Sequence, residues 1–389
     1  MRILVHALGA TTGGGMRHLT NFLREIGKAD GYRQYTIWVR SSFPMTGELN
    51  SNVQLERIAE NVCQSWIQRL IYDLWLLPAK LKREKYDAVV SLTGSGPIWS
   101  PVPLIHFQRN AIYYCPYYLK RISGLKRLET ILRRCHAVAA MSRATVTVTP
   151  SDAMAHMIRI ACPHIRHRRM VTLYHGFDYV SYDDALDPEI QTKVDRIQRP
   201  RLLYATHIAQ YKGFDVLFEA LVALQNRSNP VGLVIAGLPA EWPIGGAMLL
   251  EKIKILGLHD TVVFLGGVPQ RQMGSLYRSC DLVVNPSLCE SFAFSMIEAL
   301  GHQLPVVAAD LPINREICGA AALYYPALDA RRAATVIAEA LQDRERAGRE
   351  RAAREQLRRF DWSWRRYAKE FASLIDSVVG VSRGGIASE

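Results

Sequence analysis

Short Val/Ile/Leu-rich runs alternate with helix-like segments along this chain, stop, and then start again. The first series is Ile3–Ala7, Tyr35–Val39, Ala88–Ser91, Ala137–Met141 and Val146–Thr149, with helical stretches near Met16–Ile26, Trp66–Leu77 and Leu125–Arg134. The second is "RLLYAT" (201–206), "VGLVIAG" (231–237), "TVVFLG" (261–266), "DLVVNPS" (281–287) and "LPVVAAD" (304–310). Strands separated by helices require crossover connections, and hence parallel sheets covered on both faces. Between the series lies "DYVSYDDALDPEIQTKVDRIQRP", acidic and then polar, with Pro188 and Pro200 and no strong apolar period. That segment reads as a linker. The expectation is therefore α/β: two doubly wound, Rossmann-like parallel-sheet domains, 1–178 and 201–357, joined by a linker over 179–200. They would face one another across a cleft at the carboxyl ends of their strands, where ligands bind in such folds. Residues 358–379 read as a C-terminal helix and 380–389 as a tail.

Charge narrows the partners. The net charge is +12 over 389 residues. Residues 1–180 hold 24 Lys+Arg against 11 Asp+Glu, and the remainder holds 24 against 25. The basic half is expected to face something anionic, nucleic acid or lipid. No RNP, helix-turn-helix or zinc pattern is present, which sets nucleic acid aside. The seven cysteines (63, 115, 135, 162, 280, 289, 318) form no CxxC pair and point to a reducing cytosol. "MRILVHALGA" suits a first buried strand better than a secretory segment, and no window has the roughly 18 apolar residues of a membrane span.

In "NPSLCESFAFSMIEAL" a strand ends at Asn285, a loop runs to Glu290 and a helix begins near Ser291. A helix N-terminus offers free N–H groups and partial positive charge, a seat for phosphate. Eight helical positions amount to about 80° of net rotation, so Glu298 lies on a face next to the helix start. A nucleoside diphosphate seated there would bring its ribose to Glu298, and Glu290 would face whatever the phosphate carries. "YATHIAQYKGFDVLFEAL" (204–221) sets Lys212 where a loop enters a helix. Alone, such a lysine reads as a solvated surface residue; beside a diphosphate it would neutralise charge.

"CESFAFSMIEAL" resembles the E-x7-E signature of the GT4-class retaining glycosyltransferases of GT-B fold. "KGFDVLFEAL", "LVIAGLP", "VVFLGGVPQRQMGSLYRSCDLVVNPSL" and "LPVVAAD" follow that family's pattern over 200–325. The resemblance implies that Glu290 contacts the donor sugar and Glu298 the ribose. The amides of Ser291, Phe292, Ala293 and Phe294 would hold the diphosphate with Lys212. One position departs: the family's arginine five residues before that lysine is His207 here. Leaving-group charge would then rest on Lys212, or on another cation such as Arg109 or Arg17.

In the first half, "LGATTGGGMRHLTNFL" (8–23) is not a GxGxxG loop, and "YTIWVR" ends in Arg40 where a ribose-binding acid would stand, which argues against NAD. The loop resembles the family's GGxxR turn, implying Gly14 and Gly15 near the donor diphosphate. In "PLIHFQRNAIYYCP" (103–116), His106 with Arg109 and Asn110 resembles the family's cleft histidine, implying a hydrogen bond to the donor sugar. "RRFDWSWRRYAKEF" (358–371) resembles its C-terminal helix, packed back on the first domain. From 105 to 170 there are twelve Lys/Arg and two acids, with aromatics interleaved in "YYCPYYLKRISGLKRLET". Trp66–Leu77, with basic residues after Pro78, has a period that suits either an ordinary sheet-packing helix or a membrane contact. "LKRISGLKRLE" is the better membrane-surface element, placing Arg109, Lys120, Arg121, Lys126 and Arg127 on the acceptor or anionic lipid side.

The resemblance implies transfer of a hexose or deoxyhexose, leaning to the mannose or rhamnose type, from a nucleotide-diphosphate donor with retention. The basic, aromatic first domain points to a lipid-linked glycan acceptor of cell-surface polysaccharide or lipopolysaccharide synthesis. The protein would work in the cytoplasm, peripheral on the inner membrane face. No Asp-x-Asp stands in a plausible metal position, so neither metal nor cofactor is expected beyond the sugar nucleotide. Transfer to a small soluble acceptor, or sugar-nucleotide binding without catalysis, are the other readings.

Overall fold

The computed structural model describes residues 1–10, 13–44, 48–63, 65–177, 184–342, 346–360 and 363–384. The chain divides into two compact units. One comprises Met1–Tyr114, Arg121–Asp178 and Trp362–Glu389, the other Cys115–Lys120 and Tyr179–Asp361. Most of the linker's acidic start (178–183) and the last five tail residues lie outside the described residues. From Pro188 to Asp195 the segment read as linker is helical and part of the second unit, with Ile190 and Val194 buried.

The first unit is built on a seven-stranded, wholly parallel sheet. Its strands are β1 (Arg2–His6), β2 (Gln34–Arg40), β3 (Val53–Ile58), β4 (Ala88–Ser91), β5 (Leu104–Phe107), β6 (Val146–Thr149) and β7 (Met170–Thr172), in the order 3-2-1-4-5-6-7. β4, β5 and β6 are buried at every position, as strands covered on both faces must be. One expectation is overturned. Ala137–Met141 is no strand but the end of a 20-residue helix, Gly124–Arg143. A five-residue apolar run looks alike in either state, and here only Ala137, Ala140 and Met141 of it are buried, a helical spacing.

The helix α1 (Gly13–Ala29) covers one face, and a C-terminal helix, Trp364–Gly384, packs against it. Phe22 and Phe371 meet at 4.8 Å and His18 Nε2 lies 2.7 Å from Tyr367 Oη. Burying a side chain such as Phe371 contributes about 1.5–3 kcal/mol. The helix expected over 358–379 starts later because residues 346–359 form a separate helix of the second unit, where Phe360 stacks edge-on against Phe292 at 6.0 Å.

The opposite face shows a change of register. The helix α2 (Trp66–Ile71) runs into a π-helical turn, Tyr72–Leu76, and then α3 (Leu77–Arg83). The sheet-packing helix expected here is only half right: α2 buries no residue, whereas α3 buries Leu77, Pro78 and Leu81. A π turn inserts one residue and so rotates the apolar stripe. Before it Ile67 and Ile71 point outward, and within it Trp75 and Leu76 do; Asp73 turns into the core. The helix Gly124–Arg143, here α4, also leaves Leu125, Leu128, Ile131 and Leu132 exposed.

The second unit holds a six-stranded parallel sheet: β8 (Arg201–Ala205), β9 (Gly232–Ala236), β10 (Val262–Phe264), β11 (Leu282–Asn285), β12 (Val306–Ala309) and β13 (Ala322–Tyr325). The order is 10-9-8-11-12-13. β8 and β11 are therefore neighbours whose next strands lie on opposite sides. That reversal is where open α/β sheets leave a crevice at their strand ends.

Candidate donor site

The loops after β8 and β11 meet at this reversal. Leu288 N donates to Tyr211 O at 2.8 Å, and Tyr204 Oη donates to Lys212 O at 2.9 Å. Gly213, with φ +66, then turns the chain into α5 (Phe214–Asn226). A Cβ at Gly213 would lie 2.1 Å from Pro286 O, so only glycine lets the two loops close to this distance.

Lys212 is not the solvated lysine its sequence position resembles. It is 4% exposed, and its Nζ lies 2.6 Å from Glu290 Oε1. The pair forms because burial leaves the ammonium no water, and a carboxylate is the strongest replacement. His207 Nε2 lies 2.8 Å from Tyr211 Oη. Its outer edge is open to solvent, while packing on its inner side and then the Lys212 charge lower its pKa below the usual imidazole range. It is therefore a neutral hydrogen-bonding group near pH 7 and no substitute for an arginine cation.

The helix expected to begin near Ser291 begins at Phe294: α6 is Phe294–Gly301. Ala293, at φ 38 and ψ 66, is left-handed and cannot be part of a right-handed helix. Ser291, Phe292 and Ala293 are loop residues, and the glutamates at 290 and 298 do not share one helix. A non-glycine residue held in this conformation is a strained position of the kind that clusters at ligand sites.

Glu298 is 9% exposed and accepts a hydrogen bond from Tyr277 Oη at 2.8 Å, on Oε2. Tyr277 is itself buried and stacks on His302, centroids 5.0 Å apart and planes within 12°. Sequence reasoning missed Tyr277, which looks like any apolar-face residue of the helix Met273–Arg278. Lys212, Glu290, His207, residues 291–294 and Glu298 all belong to the second unit.

Of the remaining sequence candidates, all but Lys120 belong to the first unit. Gly14 and Gly15 open α1; Gly14 has no protein atom within 4 Å of a would-be Cβ and Gly15 only an ordinary contact at 3.7 Å, so packing does not demand glycine at either position. His106 is buried. It sits on β5 between Ser91 and Thr147 of the flanking strands, 0% exposed, with no hydrogen-bond partner on either ring nitrogen among the described residues. Burial, and then His136 and His6, push its pKa down to about 3. In this structure it is a neutral, buried strand residue. Arg109 follows β5, half-buried, its pKa brought down to about 10 by burial. Lys120, Arg121, Lys126 and Arg127 are exposed. Among the described residues no three His, Cys, Asp or Glu side chains are grouped to hold a metal ion.

Known proteins resemble this chain in sequence and in fold. The family described as "Glycosyl transferases group 1" matches residues 188–357. A D-inositol 3-phosphate glycosyltransferase of Saccharomonospora viridis is 32% identical over 194 residues, 47% of this chain and 44% of that protein. A phosphatidyl-myo-inositol mannosyltransferase of Mycolicibacterium smegmatis is 32% identical over 197 residues, 50% of this chain and 48% of that one. The chain thus matches just under half the length of these relatives. The crystal structure of Anabaena HepE with UDP and glucose superposes with a TM-score of 0.68 at 20% identity, over 96% of this chain and 99% of that one. Residues 188–357 of this chain match the glycosyl transferases group 1 family, and its two parallel-sheet units have the fold of GT-B glycosyltransferase structures.

Proposed function

We propose that the protein transfers a hexose or deoxyhexose, with retention, from a nucleotide-diphosphate donor to a lipid-linked glycan acceptor, at the cytoplasmic surface of a membrane. The buried Lys212–Glu290 pair, beside Glu298 and its tyrosine on the group 1 domain, carries this reading. The donor's ribose hydroxyls would bind Glu298, whose Oε2 Tyr277 already orients. The diphosphate would lie between Lys212 and the amides of 291–294.

In the reaction the C1–O bond to the diphosphate breaks and its electron pair stays on the phosphate oxygen. The acceptor hydroxyl oxygen bonds to C1 and its proton leaves to a phosphate oxygen or solvent. Lys212 stabilises the charge that appears on the leaving group, the largest electrostatic demand of such a step. Glu290 aims Lys212 through their contact at 2.6 Å, and its other oxygen faces the sugar. His207, being neutral, adds a hydrogen bond only.

The lipid acceptor is favoured by the exposed face of the first unit. Ile67, Ile71 and Trp75 follow one another at i, i+4 and i+8, Trp75 being 74% exposed, and Leu125 on α4 is 85% exposed. The Arg133 guanidinium lies over the Trp66 ring at 5.9 Å, joining the two helices. Arg121, Lys126 and Arg127 border this face. Apolar and basic side chains so combined suit an anionic lipid surface. Among the described residues no helix is long and apolar enough to cross a membrane. The relative named a phosphatidyl-myo-inositol mannosyltransferase supports both a lipid acceptor and a mannose-type donor.

Calorimetric titration with UDP, GDP, ADP and TDP tests the donor site. One nucleotide is expected to bind preferentially and to weaken on Glu298→Ala; no binding of any at millimolar concentration overturns the reading. Co-sedimentation with phosphatidylglycerol vesicles tests the surface: binding is expected, with loss in Trp75→Glu and Leu125→Glu. No binding to vesicles would leave a soluble acceptor.

A further inference from the structure

Tyr211 precedes Lys212 in a short 3-10 turn, Gln210–Lys212, between β8 and α5. Its carbonyl accepts from Leu288 N at 2.8 Å, and the Lys212 carbonyl accepts from Tyr204 Oη at 2.9 Å. The backbone of both residues is thus fixed, and only their side chains are left to be placed.

The Tyr211 ring is held from two sides. Its Oη lies 2.8 Å from His207 Nε2, and its ring meets that of Tyr118 edge to face, centroids 5.6 Å apart and planes at 89°. Tyr118 is buried and lies in the stretch Cys115–Lys120, which belongs to the second unit. Lys212 Nζ stands 5.3 Å from the centroid of the same Tyr211 ring, close enough for its π face to attract the ammonium.

The choice of an aromatic neighbour has a physical reason. The one hydrogen-bonded partner of Lys212 Nζ among the described residues is Glu290, and the lysine side chain is 5% exposed. A second carboxylate would cancel the cation that a phosphate must meet. An aliphatic wall would leave a desolvated charge unsupported. An aromatic face supports the ammonium without neutralising it and without using up its remaining N–H donors. The hydroxyl distinguishes tyrosine from phenylalanine here, because it reaches His207. That imidazole stays neutral, its pKa pushed down to about 4 by burial and then by Lys212. It therefore fastens the hydroxyl without setting a second cation against the ammonium.

We propose that Tyr211 is a positioning residue: its ring and Glu290 together hold the Lys212 ammonium toward the terminal phosphate of a bound diphosphate, and His207 acts through the Tyr211 hydroxyl. That this phosphate is a leaving group rests on the transfer reading above; the positioning itself does not. The histidine standing where the resembled family carries an arginine is then one half of a neutral pair that steers Lys212.

The test is calorimetry of the full chain with UDP, GDP, ADP and TDP and with the four corresponding monophosphates. It compares wild type, Tyr211→Leu, Tyr211→Phe, His207→Leu and the Tyr211→Phe/His207→Leu double variant. Tyr211→Leu is expected to weaken the preferred diphosphate about tenfold and to leave its monophosphate unchanged. A part played only in folding would weaken both alike; that result overturns the proposal, as does wild-type diphosphate affinity in Tyr211→Leu. Tyr211→Phe and His207→Leu should each weaken the diphosphate about threefold, and the double variant no further, since both remove the same hydrogen bond. Multiplied losses in the double variant overturn the coupling through the hydroxyl. Should Tyr211→Leu fail to fold, the two milder variants, read as diphosphate against monophosphate, carry the same comparison.

Hydrolysis of UDP-glucose, GDP-mannose, ADP-glucose or TDP-rhamnose, chosen by the preferred base, separates this role from the transfer reading. Tyr211→Leu should lower kcat about tenfold with little change in KM, because the extra phosphate charge appears only as the bond breaks. Tyr211-dependent diphosphate binding without turnover of any of the four keeps the positioning role and removes the transfer reading. No diphosphate binding by the wild type overturns both.

Discussion

Lys212 Nζ stands 2.6 Å from Glu290 Oε1, and the two residues come from loops that follow adjacent strands but lie 78 positions apart in sequence. Their side chains are 5% and 16% exposed. The sheet order alone makes them neighbours.

Breaking this pair from either side strands a buried charge. Lys212→Ala is expected to destabilise the second unit by about 3 kcal/mol, the low end for a buried pair because Glu290 keeps some solvent. Lys212→Met with Glu290→Leu should recover most of that stability and none of the proposed transfer activity. Urea unfolding of the single and double variants, with an activity assay on each, checks both halves.

Gly213→Ala should be worse than its size implies. The left-handed backbone costs a non-glycine residue roughly 1–3 kcal/mol, and the new methyl meets Pro286 O at 2.1 Å. The loops must separate, which draws Lys212 away from Glu290. A fall in melting temperature together with weaker nucleoside diphosphate binding is expected; an unchanged affinity would show that the loops close some other way.

Tyr277→Phe removes the hydrogen bond that orients Glu298 and leaves the ring stack on His302. A hydrogen bond to a charged group is worth about 1.5–3 kcal/mol. Stability should fall by that order, and nucleotide binding should weaken about tenfold if the carboxylate then turns from the ribose. Calorimetry on the variant decides.

His106 predicts a pH dependence. It is neutral in the folded protein, with a pKa near 3, and takes a proton near pH 6.5 once unfolded. Between those values the unfolded chain binds the extra proton, so stability is complete above pH 6.5 and falls as pH drops toward 3. The slope is about 1.4 kcal/mol per pH unit for one such group. Buried His18 and His175, also depressed chiefly by burial, act in the same direction. His106→Phe should flatten the acid limb of the stability profile by about one proton while leaving nucleotide binding intact. A large loss of nucleotide binding would return His106 to the donor site.

The sequence by itself determined the class of fold, because β/α alternation admits parallel sheets and little else, and a restart after residue 200 means a second one. It also marked Glu290, Glu298 and Lys212, since acids and a lysine at a loop–helix junction stand out from an apolar background. What it left open was everything that depends on neighbours. Ala137–Met141 has a strand's composition and a helix's place, decided by which of its residues the sheet covers. β3, β5, β7 and β13 were missed: β3 carries charged Glu56 and Arg57, β5 and β13 are only four residues long, and β7 is only three residues long and half-buried. Trp66–Leu77 has one apolar period on paper, and the π turn splits it into an outward and an inward half. His106 carries the same ring whether it lines a cleft or a core. Periodicity reports that a residue is buried or exposed; only the order of the strands decides against what, and that order is fixed by contacts between segments scores of residues apart.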